Sequence, residues 1–397
     1  MRLSDYGISS ARGFLPNEDP LDVLPREFSF LDEFGRNLPE LIAQDRVNQE
    51  ASNLPIPDFY SIIGLDGPQL RLAHLRYDFI QSACVHTQKE KPQIICRNIA
   101  KPVWLISKIL FKPPILSYDS YTLNNWKRKD KDGPIKVDNL ELIQTFIEDS
   151  DQSWFILIHV DIEAEAALAI RSLREAVLAV ERDDTISLGH ALLNIDRSLD
   201  NIVTTMRRMP EGTSPETYYR IRPWIMSFDD VIYEGVDEFS DKPQSLRGQT
   251  GAQSSIFQAI EAGLQTPSLE DNHLSRHLKD MRNYMLAGHR RFILDLEETS
   301  GVRDHIVSTE SSLDELYDSN MYKILLFLAI HLGYAFFYIH KKTSNPKGTG
   351  GTPDFMDYLE GRIKERWVKA FIKPRSEDDF KSFMIKARKI VKELVAG

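Results

Sequence analysis

Apolar residues recur every three to four positions through most of the second half of this chain. Between 183 and 209, Leu188, Leu192, Leu193, Ile195, Leu199 and Ile202 fall on one helical face. The stretch 153–180 repeats the pattern, and its Ala164, Ala166, Ala167 and Ala169 are strong helix formers. The same reading predicts helices over 214–226, 252–264, 272–297, 311–341 and 376–395. The first half is interrupted by prolines from Pro16 to Pro114. Proline ends or kinks a helix, so the segments 26–50, 68–85, 101–111 and 136–149 are read as short helical pieces. Alternating strand patterns are rare. The pattern predicts an all-α protein with a small N-terminal domain, 1–145, and a larger helical domain, 146–397.

A length of 397 residues suits about two domains. The chain is 42% hydrophobic and 27% charged, as soluble globular proteins are. Its net charge of −10 argues against a nucleic-acid partner, since such proteins usually carry a basic surplus. Cys84 and Cys96 are too few for a four-cysteine zinc site or a disulfide framework. The segment Met1–Tyr6 has no apolar signal-peptide core. The longest apolar run, Ile324–Ile339, contains His331 and is shorter than the roughly 20 residues of a membrane span, so it is read as a buried helix. These features suggest a cytoplasmic protein without a membrane partner.

Most catalytic templates are missing: HExxH, GxSxG and a GxGxxG after a strand are absent. The glycine-rich stretch Lys341–Pro353 lacks the P-loop spacing. Two of the ten histidines lie on apolar helix faces. The same-face neighbours of His331 include Ile324, Phe327, Leu328, Tyr334 and Ala335, which offer its ring nitrogens nothing to bond. Either it is a core histidine bonded to a distant carbonyl, or it is an axial ligand of haem iron. His159 shares a face with Phe155 and Ile162. It is either a satisfied core residue or a group that orients a substrate N–H or iron-bound oxygen. Asp161 and Glu163 read as a solvated face. Arg222, among Tyr218, Tyr219 and Trp224, suits a carboxylate clamp or a structural ion pair equally well.

Several longer motifs resemble the indoleamine 2,3-dioxygenases: Phe111–Asp119 with Asn125-Trp126-Lys127, Val231–Gly235, Gly251–Gln258, Gly288–Phe292 and Gly348–Thr352. Their order and spacing hold from about residue 12 to about residue 360. The resemblance implies a haem b enzyme whose small domain covers the distal face of the haem. It implies iron ligation by His331, with Thr250 and Gly251 near the haem edge. Arg222 would hold the substrate carboxylate, Tyr218 would sit beside it, and Thr349 would close over the amino acid moiety. Tyr118, Tyr121 and Phe155 would line the indole pocket, with His159 as the distal catalytic group. The implied reaction opens the C2–C3 bond of L-tryptophan or a related indole with dioxygen, and needs a reductant for ferric haem. Two departures stand out. His159 replaces a serine of the mammalian enzymes, and Leu328 replaces an arginine found near the haem propionates. They keep open two alternatives: other indole chemistry, or a non-catalytic haem sensor.

Overall fold

The computed structural model describes residues 2–148, 150–267, 271, 273–309, 312–342, 347–351 and 355–396, without the side chains of 150, 151, 273 and 274. Helices dominate, as the all-α reading expects. The long helix Asp314–Tyr338 packs against Thr185–Arg207, Phe355–Lys369 and Glu377–Ala396. It is long and apolar enough to cross a membrane, but 61% of its most apolar stretch is buried inside the protein. Gly333 allows the closest approach, since a Cβ there would lie 2.7 Å from Val391.

Two apolar cores form, and they do not part at one chain position. One gathers Leu24–Val103 with Phe146, Ile225–Val236, Met281 and Tyr284. The other gathers the later helices, and also takes in Leu3–Leu15 and Trp126–Leu140. A small sheet ties the halves together. Ile94–Ile95 pairs in parallel with Phe228–Tyr233, which pairs antiparallel with Gln244–Leu246. It delivers the chain to the turn at Gly248–Gly251.

Several predicted helices differ from what forms. The stretch 136–149 gives a short 3₁₀ turn, Val137–Asn139, and a strand, Leu140–Glu141, paired with Lys127–Arg128. Its backbone donors are taken by distant side chains: Val137 N–H donates to Asp161 at 3.0 Å and Gln144 N–H to Asn125 at 2.8 Å. The stretch 153–180 is two helices, Ser150–Glu165 and Ala167–Glu181. The break lies where Gly13 of the N-terminal segment comes against Ala167. The stretch 272–297 is likewise divided, into His273–Met281 and Ala287–Thr299. There the Tyr6 backbone covers Gly288 so closely that a Cβ would overlap it. Helices Val302–Ser308 and Phe355–Lys369 were not expected from the pattern.

Candidate active site

His159 and His331 line one cavity from two different helices, Ser150–Glu165 and Asp314–Tyr338. The free space between its walls is small, about 90 Å³, so its lining rather than its size marks it. Its walls are mostly apolar, with Ile162, Met206, Phe257, Phe327 and Leu328 among them. A second cavity shares both histidines and extends past Phe155, Tyr218 and Tyr338 to Thr349.

The state of His159 follows from one bond. Its Nδ1 lies 2.7 Å from the carbonyl oxygen of Phe155. A carbonyl only accepts, so Nδ1 carries the proton. Burial holds the imidazole below its ordinary pKa, with the Phe155 bond opposing, so the ring is neutral at pH 7. Nε2 is therefore a lone-pair acceptor. It can receive an N–H from a substrate but cannot donate to one.

His331 is different. Neither ring nitrogen has a hydrogen-bond partner among the described residues, and its one ring contact is the edge of Phe355 at 6.3 Å. Burial pushes its pKa down to about 4, helped by His159 and Arg362. The ring is therefore neutral, as an iron ligand must be. Among the described residues no cluster of three or more His, Cys, Asp or Glu gathers to hold a metal. A single imidazole in an apolar cavity suits an iron whose remaining protein-independent ligands a macrocycle would supply. The site's residues thus fit a haem.

The remaining expected residues divide by position. Tyr118, Thr250 and Gly251 line the first cavity, while Phe155, Tyr218 and Thr349 line the second. The rings of Phe155 and Tyr218 are 4.8 Å apart, and those of Phe155 and His159 are 5.0 Å apart. Thr250 caps the 3₁₀ turn Gly251–Gln253. Tyr121 and Arg222 are among the described residues that line neither cavity. Tyr121 is fully buried in the first core, stacked on Phe79 at 5.9 Å. Arg222 donates from Nη2 to the Lys347 carbonyl at the start of the glycine-rich loop, and its buried Nε has no partner among the described residues. Thr352, the last residue of that loop motif, lies outside the described residues.

Sequence reasoning missed several neighbours. Asp161 and Glu163 are not a solvated face: both are buried. Segments remote in the chain cover that side of the helix: Asp161 accepts from Val137 N–H, and Glu163 accepts from the Ser254 hydroxyl at 2.8 Å. Burial pushes the Glu163 carboxyl up to about 7, against bonds from Ser254 and Tyr118. His277, Tyr358 and Arg362 also line the first cavity. The spacing of Tyr358 and Arg362, four residues apart, carried a signal only if Phe355–Lys369 was recognised as a helix.

The family model described as indoleamine 2,3-dioxygenase matches residues 2–366. Indoleamine 2,3-dioxygenase 1 of Mus musculus is 32% identical, over 93% of this chain and 96% of its own length. Indoleamine 2,3-dioxygenase 2 of Homo sapiens is 27% identical, over 94% of this chain and 97% of its own. A protein named myoglobin from Haliotis madaka is 25% identical, over 91% and 96% respectively.

Proposed function

We propose, from the premise that this chain belongs to the indoleamine 2,3-dioxygenase family, that it opens the indole C2–C3 bond of L-tryptophan to give N-formylkynurenine, the entry to the kynurenine pathway. The observation that carries the reading is the pairing of two neutral histidines on one apolar cavity, one unpartnered and one with only Nε2 free.

His331 would hold haem b, which when bound would supply the activation of dioxygen. The chain's own residues bind and orient. His159 Nε2 accepts the indole N–H and so sets the rotation of the ring about its plane. It need not remove that proton. Phe155, Tyr218 and Tyr118 hold the indole by aromatic contact, with Tyr121 packed behind them. Arg222 keeps an unpartnered Nε–H near Tyr218, and its other arm holds the Lys347 carbonyl. One guanidinium can thereby grip a substrate carboxylate and tether the loop that brings Thr349 over the amino acid moiety. The reaction consumes dioxygen, and a cellular reductant keeps the iron ferrous. We place the enzyme in the cytoplasm, away from nucleic acid and membrane.

Turnover of L-tryptophan by the haem-loaded ferrous protein tests this. N-formylkynurenine should accumulate, and Arg222→Ala should raise KM while leaving the haem spectrum intact. A second reading, haem-bound oxygen without turnover, draws on the relative named myoglobin. It predicts a stable oxygen complex whose lifetime tryptophan does not shorten.

A further inference from the structure

The cavity that holds His331 has an unusual charge balance. Among the described residues that line it there is no carboxylate, and Arg362 is the one permanently charged group. Arg362 is 6% exposed, and its Nε has no hydrogen-bond partner among the described residues. One turn earlier on the same helix, Tyr358 lines the same cavity, 5% exposed, with an unpartnered hydroxyl. Two donors four residues apart face one direction along a helix.

Behind Arg362 the charges do not cancel. Glu261 accepts from Arg362 Nη2 at 3.4 Å and from Arg366 Nη2 at 2.8 Å. Burial alone would raise the Glu261 carboxyl, but the two guanidiniums more than offset it and hold it below its usual range, so it is ionised. Two guanidiniums against one carboxylate leave one buried positive charge. Arg366 also has the Pro267 carbonyl, and it lines a different, polar cavity. Among the described residues Arg362 has only the long bond to Glu261. A buried cation with an idle donor is costly unless an anion meets it.

We propose that Arg362 and Tyr358 together bind a carboxylate of the macrocycle held by His331. Guanidinium Nε–H and phenol O–H both donate to it, and Glu261 with Arg366 fixes the guanidinium in place. This rests on the haem reading of the cavity. It also accounts for Leu328, which lines the cavity one turn before His331 and offers no charge there. The cation comes from the helix Phe355–Lys369 instead.

The test titrates the haem-free full-length chain with iron protoporphyrin IX and with its dimethyl ester, followed by absorbance. The parent should bind the free acid about 10- to 100-fold more tightly than the ester. Arg362→Gln should bring that ratio close to one, and Arg362→Lys should keep part of it. Tyr358→Phe should lower the ratio by a smaller factor. The proposal is overturned if the parent binds acid and ester equally, or if Arg362→Gln keeps the parental ratio. If Arg362→Gln does not fold, an undiminished ratio in both Arg362→Lys and Tyr358→Phe overturns it instead. A parent that binds neither porphyrin removes the haem reading itself, a result distinct from all of these.

Discussion

His159 donates its Nδ1–H to the Phe155 carbonyl, leaving Nε2 to accept a substrate N–H. His159→Ala should therefore lose about tenfold in kcat/KM, the worth of one hydrogen bond, with an unchanged haem spectrum. Steady-state kinetics beside absorbance separates the two effects. His331→Ala should abolish the ligated haem spectrum, because no other described imidazole is both unpartnered and in that wall. Spectra that match the parent would refute the ligand assignment. Glu163 titrates at about 7 when folded and near 4.5 when unfolded, so its contribution to stability is present at low pH and lost as pH rises towards 7. Glu163→Gln keeps an acceptor for Ser254 without that loss. Relative to the parent it should gain up to about 3 kcal/mol at pH 8 and little at pH 4, by urea unfolding. The two histidines stood out in the sequence because the side chains at helical spacing are apolar; the bond that His159 makes goes to a backbone carbonyl four residues back. Glu163 did not, because what covers it comes from Tyr118 and Ser254, far away in the chain.

Helix periodicity located the long elements well. It failed where tertiary contacts interrupt them: Gly13 against Ala167, Tyr6 against Gly288, and borrowed backbone bonds at Val137 and Gln144. None of these leaves a trace in local spacing. The turn that leads into the site makes a sharper prediction. A Cβ on Gly248 would lie 2.4 Å from the Ile225 carbonyl oxygen and 2.4 Å from Met226 carbon, both backbone atoms that cannot swing aside. A Cβ on Gly251, three residues later, would meet nothing within 4 Å. Gly248→Ala should lower Tm by several degrees and weaken haem binding, whereas Gly251→Ala should leave Tm within a degree or two of the parent. Differential scanning calorimetry of both variants checks this. Equal effects would mean that the turn relaxes freely.

At the scale of the molecule, the site lies where the two cores meet. Tyr118 and Phe155 come from the region where the chain passes between them, and His331, Met206 and Tyr358 from the later helices. The all-α class was legible because long amphipathic runs outnumber every other pattern. The interweaving was not, because it depends on Leu3–Leu15 returning to the second core and Phe228–Tyr233 to the first. Family motifs made most of the pocket visible in advance, yet Arg362 escaped them, since it lies beyond the last of those motifs. The central claim is that this shared cavity performs oxygen insertion into an indole. The most direct measurement is the mass of the product formed from L-tryptophan by haem-loaded ferrous protein under isotopically labelled dioxygen. The account predicts N-formylkynurenine carrying two labelled oxygen atoms. A product with one labelled atom, an unoxygenated rearranged indole, or tryptophan recovered unchanged would contradict it.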